Sequence, residues 1–164
     1  MFDNEEVGSE TKDGAASTVL RDLLDYIAGG SREFIKVAKH SLCVSADKAH
    51  ALHPNHPELS DPNFAPVMGG GVAIKHNANR RYATDAYSEA YLTDLCGARG
   101  ITLQHYYNRP DIVGGSTLGS ISSARAPIPT VDIGIPQLAM HSIAETCAVS
   151  DFLSLIELCR CVFS

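Results

Sequence analysis

The chain has 164 residues, 45% of them hydrophobic and 20% charged, with a formal net charge of −6. That balance belongs to an ordinary globular domain able to bury a core, and it excludes a disordered or fibrous chain. Net negative charge without any cluster of Lys and Arg argues against a nucleic-acid partner, and no apolar run approaches the length of a membrane span.

The N-terminus shows no basic stretch followed by an apolar one, so no signal peptide is visible. Five cysteines, Cys43, Cys96, Cys147, Cys159 and Cys161, are odd in number, none at CxxC spacing, and sit mostly in apolar surroundings. The pattern reads as reduced, buried thiols of a cytoplasmic protein rather than a disulfide framework or a zinc knuckle.

In chain order, an acidic opening (MFDNEEVGSE) leads through Lys12-Asp13-Gly14, a turn, into a helix. Val19, Leu20, Leu23, Leu24 and Ile27 recur at helical spacing, and Gly29-Gly30 supplies the stop. Ser31 is placed to cap a second, shorter helix whose apolar face carries Phe34, Val37 and Ala38, with Ile35 alongside. Residues 41–45 form a short apolar run, expected as a buried strand ending near Asp47 and followed by a His- and Pro-rich loop over 50–66. Gly69-Gly70-Gly71 is a turn into a strand from Val72 through Lys75. A helical pattern covers 84–98, and a strand is expected at 101–103. Gly114 to Thr117 begins a helix expected to reach Ala124, and residues 127–133 are the next strand. The last segment is a helix capped by Ser150, with Phe152, Leu155, Ile156, Cys159, Val162 and Phe163 on one stripe. Strands alternating with helices predict a single-domain α/β sandwich with functional groups at strand ends.

Three places carry chemistry. Glu5 and Glu6 are adjacent carboxylates: one can hold a cation while its neighbour takes a proton from water. Asp47 is expected just past a buried strand, and His141 follows another. Carboxylates and an imidazole from separate strand ends are donors that zinc accepts in hydrolytic sites. Residue types alone favour plainer roles: an acidic surface for the Glu pair, a helix cap for Asp47, a hydrogen-bonded core histidine for His141.

Ordered motifs change that balance. DNEEVGS (residues 3–9), SADKAHALHPN (45–55) and PQLAMHS (136–142) resemble blocks of the aspartyl aminopeptidase and aminopeptidase I family of zinc metallopeptidases. IKHNANRRYA (74–83) and GGSTLGSISSA (114–124) resemble weaker blocks of the same family, in the same order. The resemblance implies an α/β/α zinc-peptidase fold and removal of an N-terminal residue, an acidic one by preference, from a peptide substrate. It implies two zinc ions, with Glu5 as general base and Glu6, Asp47 and His141 as metal ligands. Lys75, His50 and His53 match positions on the substrate side. Adjacent residues of an extended segment point oppositely, so Glu5 and Glu6 need a local twist to serve one site.

By the same resemblance, the first zinc-binding His and the Asp that bridges both metals precede DNEEVGS. The 164 residues then read as the C-terminal part of a catalytic domain, incomplete at its N-terminal side and without the family's assembly domain. The full-length chain is expected to form a homo-oligomer. Two readings compete with an aminopeptidase: a truncated, non-catalytic remnant serving as a partner-dependent interaction module, and a different co-catalytic zinc hydrolase of similar fold.

Overall fold

A computed structural model describes residues 2–164. Among the described residues, five α-helices and five strands, with one 3-10 turn at Pro57–Leu59, follow in the order α1 (Val19–Ala28), α2 (Ser31–Ala38), β1 (Cys43–His50), β2 (Val72–His76), α3 (Ala86–Gly97), β3 (Leu103–Tyr107), α4 (Leu118–Arg125), β4 (Thr130–Leu138), β5 (Thr146–Cys147) and α5 (Val149–Val162). The sheet has strand order β1-β4-β2-β3, with the short β5 on β4. β1 runs parallel to β4 and β3 parallel to β2, while β2 and β4 are antiparallel. The sheet is therefore mixed, and the expected α/β sandwich holds.

α3 and α5 cover one face of the sheet. Leu92 and Cys96 of α3 and Leu158 of α5 pack there against Val72, Ile74, Val131 and Ile133. Complete burial of an Ile or Leu side chain stabilises by about 1.5–3 kcal/mol, so this layer is the chief source of cohesion. α4 crosses the opposite face over β1 and β4, and a smaller cluster of Phe34, Ala38 and Ala126 joins α2 to the segment after α4.

Local chemistry explains most element ends. Asp85 caps α3, accepting from the Ser88 N–H while the Ser88 hydroxyl bonds back to the cap, a capping box. Gly29 closes α1 in the left-handed region at φ 87°. Two expected caps are not used. Ser31 is the first residue of α2 and its hydroxyl donates to Asp25, so Gly30 stands at the cap. Ser150 lies inside α5, whose cap position is Ala148.

Burial on α5 also differs from the expected stripe. Asp151, Leu158 and Cys161 are buried, whereas Phe152 and Phe163 are exposed. The reason is Asp151, whose carboxylate accepts the N–H groups of Gly69 (2.8 Å) and Gly71 (2.9 Å) and so turns its own face inward. Of the cysteines, Cys96 and Cys161 are buried, Cys43 and Cys159 are partly buried and Cys147 is exposed; all five are free thiols.

The strands run further than the apolar runs suggest. β1 pairs with β4 over eight residues, so Asp47 lies within the strand, opposite Gly134, rather than past its end. β4 continues through Gly134 and Pro136 because Pro136 falls between the stretch paired with β2 and the stretch paired with β5, where a missing N–H costs least. β3 begins at Leu103, where the expected strand ends.

A second fully buried carboxylate, Asp132 of β4, ties three segments together. It accepts from the Thr117 hydroxyl (2.8 Å) and the Ala83 N–H (2.5 Å), while its own N–H donates to the Thr84 hydroxyl (2.9 Å). A side chain on Gly119 would stand 2.2 Å from this carboxylate, so α4 approaches only with glycine there.

Candidate active site

A cleft of about 510 Å³ opens beside the C-terminal ends of β1 and β4. Glu5, Glu6, Asp47, His50, Lys75 and His141 all line it. Each arrives by a different route.

Glu5 and Glu6 sit in a turn closed by the Gly8 N–H to the Glu5 carbonyl (3.0 Å) and the Ser9 N–H to the Asn4 carbonyl (2.9 Å). Asn4 and Ser9 flank it in the left-handed region, at φ 61° and 62°. This is the local twist that two adjacent carboxylates require to face one cleft. His141 follows β4 through Ala139, and both residues have positive φ, 57° and 66°. Glu145 holds that bend, accepting the His141 N–H (2.6 Å) and the Lys48 ammonium (2.9 Å). The Glu6 carboxylate meets His141 Nε2 at 3.0 Å, and both side chains are about two-thirds exposed (69% and 65%).

Lys75 is the opposite case. Only 3% of its side chain is exposed, and its ammonium is held by Asp47 Oδ2 at 3.1 Å, with the Tyr82 ring 5.2 Å away. A buried cation needs a partner, and Asp47 is that partner.

Electrostatics separate the groups. Glu5 titrates above the ordinary carboxylate value, first through burial, then through the charges of Asp47 and Glu6, with His141 and Lys75 working against the shift. His50, at the edge of the cleft, is pushed down by desolvation and by Lys75. A carboxylate whose affinity for a proton is raised is better matched to taking one from water near neutral pH.

The structure does not bring every expected residue to this place. His53 lies in the neighbouring hollow with His56, their rings 5.2 Å apart, although His50 lines both spaces. Gln137, Tyr106 and Glu145 line the cleft and were not singled out from the sequence. For Glu145 a signal existed: an acid four residues beyond His141, in a loop.

The model of the family described as aminopeptidase I zinc metalloprotease (M18) matches residues 1–163. The chain belongs to this family. It is 45% identical over 156 residues to a probable M18 family aminopeptidase 2 of Clostridium acetobutylicum, a match covering 93% of this chain and 36% of that relative. It is 44% identical over 155 residues to a probable aspartyl aminopeptidase of Ricinus communis, covering 92% and 32%. Among solved structures, it superposes on a chain in the cryo-EM structure of the Ape4 and Nbr1 complex with a TM-score of 0.96 and 36% identity, covering 99% of this chain and 31% of that one. The S. cerevisiae mApe1 dodecamer gives 0.85 and 28%, covering 99% and 36%. The chain thus spans about a third of the length of the curated relatives it matches.

Membership of the M18 family makes zinc the ion to test against these side chains. Two donors on one tetrahedral zinc, with bonds of about 2.0–2.1 Å, lie roughly 3.3 Å apart. Glu6 and His141, at 3.0 Å, fit as two donors of one ion. Asp47 stands apart, engaged by Lys75. Among the described residues, Glu6, Asp47 and His141 do not form a group of three donor atoms within 4.8 Å of one another.

Proposed function

We propose that this chain supplies part of the active site of a zinc aminopeptidase that removes N-terminal residues, acidic ones by preference, from peptides. The observation that carries the reading is the Glu6–His141 pair, with Glu5 beside it in one cleft, in a chain of the M18 family. Glu6 and His141 would hold one zinc and Asp47 would serve a second; by the family resemblance the remaining donors would be a His and a bridging Asp ahead of DNEEVGS. Zinc, when bound, would supply a lowered pKa for water and Lewis acidity towards the scissile carbonyl. Glu5 takes the proton as water adds to the carbonyl carbon, and returns it to the amine nitrogen as the C–N bond breaks. Lys75 is the cation available to an acidic side chain at the peptide's N-terminus, on condition that substrate displaces it from Asp47.

Support for the acidic preference comes from the aspartyl aminopeptidase relative and from Lys75 in the cleft. Support for a homo-oligomer comes from the mApe1 dodecamer and from the exposed Tyr26 and Ile27 of α1. The exposure of Glu6 and His141 favours a second reading, a non-catalytic module that works only against a partner chain.

The test is hydrolysis of an N-terminal aspartyl chromogenic substrate with added zinc, run beside zinc stoichiometry. The isolated chain should turn over weakly, and Glu5→Gln should lower that by about 100-fold or more with zinc content unchanged. Turnover unaffected by Glu5→Gln removes Glu5 as base, and no zinc bound through Glu6 and His141 favours the second reading.

A further inference from the structure

The pleat of β2 sends Lys75 to the cleft and its neighbour His76 to the other face of the sheet, where Ile74 and Val72 already pack under α3. On β3, Leu103 and His105 share that face. The ladder sets Ile74 opposite His105 and His76 opposite Tyr107, which makes the two histidines diagonal neighbours. α3 then carries Glu89 over them. Its start is fixed by the Asp85–Ser88 capping box and by the Ser88 hydroxyl, which donates to the Thr130 carbonyl of β4. The His76 ring lies flat on Tyr107, centroids 4.4 Å apart and planes 5° from parallel, so its orientation is set.

Three atoms converge. His76 Nε2 is 3.1 Å from His105 Nδ1, and Glu89 Oε1 is 3.7 Å from the first and 3.5 Å from the second. Donors on one tetrahedral zinc are separated by about 3.3 Å, so each edge of this triangle matches to within about 0.4 Å. An imidazole–imidazole hydrogen bond explains only one edge. It leaves the Glu89 carboxylate aimed at both rings yet beyond hydrogen-bond length from either. A shared cation accounts for all three edges. Among the described residues, this is the one group of three metal-type donors so arranged.

We propose that His76, Glu89 and His105 bind one divalent cation of the zinc class, with water in the fourth position, on the sheet face opposite the cleft. Two imidazoles and a carboxylate suit zinc and its neighbours in the first transition row better than magnesium or calcium. Burial lowers the His76 pKa against the opposing Glu89 charge, a shift towards the neutral ring that a cation requires. An ion there clamps α3 to β2 and to the edge strand β3, and it is independent of the ion held by Glu6 and His141.

Cobalt(II), whose visible absorption reports tetrahedral coordination, is the probe. The 164-residue chain carrying Glu6→Gln is titrated with cobalt, and metal is counted after dialysis. The same is done after adding His105→Asn or Glu89→Gln, with circular dichroism to verify the fold. The Glu6→Gln protein should keep one equivalent with strong visible absorption, undisturbed by magnesium. His105→Asn should lower its affinity by roughly 100-fold or more, and Glu89→Gln by at least about 10-fold. Zinc should raise the thermal midpoint of Glu6→Gln but not of its His105→Asn derivative. The proposal is overturned if Glu6→Gln takes up no cobalt, or if uptake is the same with and without His105→Asn.

Discussion

Two sets of carboxylates in this chain serve opposite ends. Asp132 and Asp151 are wholly buried, and the fold surrounds each with donors: a hydroxyl and a backbone N–H for Asp132, two glycine N–H groups for Asp151. Glu5, Glu6 and Asp47 face an open cleft, where their partners are other ionisable side chains: His141 for Glu6, Lys75 for Asp47, and repulsive neighbours for Glu5. A carboxylate ringed by fixed dipoles has no further valence to offer and acts as a structural tie. One held by ionisable groups can exchange its partner for a cation or a proton. Surroundings, not residue type, separate scaffold from chemistry here.

That contrast can be broken by substitution. The largest effect belongs to Asp132→Ala, which strands the Ala83 N–H and the Thr117 hydroxyl and opens a hole beside Gly119. A loss of roughly 3–5 kcal/mol is expected from two unsatisfied donors and a cavity. Urea unfolding should show it as a lower midpoint at constant slope. A loss under about 1 kcal/mol would mean that water or a rearranged loop substitutes for the carboxylate.

Asp47→Asn sharpens the comparison from the cleft side. It leaves the Lys75 ammonium buried without its anion, but Asp47 itself is partly open to water, so the cost should be nearer ~1–3 kcal/mol than that of a fully buried pair. The double change Asp47→Asn with Lys75→Met should recover most of that loss in the same unfolding assay. Failure to recover it would show that Asp47 stabilises the fold by some route other than Lys75.

The smallest effect on stability is expected at Glu5, and it has a sign. Burial and neighbouring carboxylates raise its pKa in the folded chain above the ordinary 4.5. The folded state therefore binds this proton more tightly than the unfolded state does. The resulting stability is present below pH 4.5 and is lost as pH rises through the folded pKa. Glu5→Gln, uncharged throughout, should gain a small advantage over the parent as pH rises through that value, and none below it. A stability difference independent of pH would contradict the shift.

Much of this arrangement is legible in the residue order, for physical reasons that also mark where it stops. Helices announced by apolar spacing and glycine stops, such as α1 with Gly29, appear where the pattern puts them, because a helix is a local structure. Strand lengths are not local. β1 extends through Asp47-Lys48-Ala49-His50 only because β4 lies beside it, and β3 hides behind the mixed run Gln104-His105-Tyr106-Tyr107. The motifs around Glu5, Glu6, Asp47 and His141 converge on one cleft as their order in the chain suggests. The roles of Asp132 and Asp151 were invisible, since an acid that accepts backbone N–H groups from a distant loop has no spacing to betray it, whereas Glu145 stands only four residues beyond His141. The His76–His105 diagonal likewise exists only once β2 and β3 are in register.

The N-terminal limb has a property that its sequence conceals. Among the described residues, the backbone hydrogen bonds of residues 3–17 close on the limb itself: Asp3 to Asp13, Ala16 to Ser9, Ser17 to Gly14. Ser9 and Ala15 are buried, and Glu6 reaches across to pair with His141. Opening such a segment would break none of the sheet's backbone hydrogen bonds. The cleft is then a seam between the limb and the strands. Glu5 and Glu6 come with the limb, Asp47 and His141 with the strands, and any cation that grips Glu6 and His141 together fastens the seam shut.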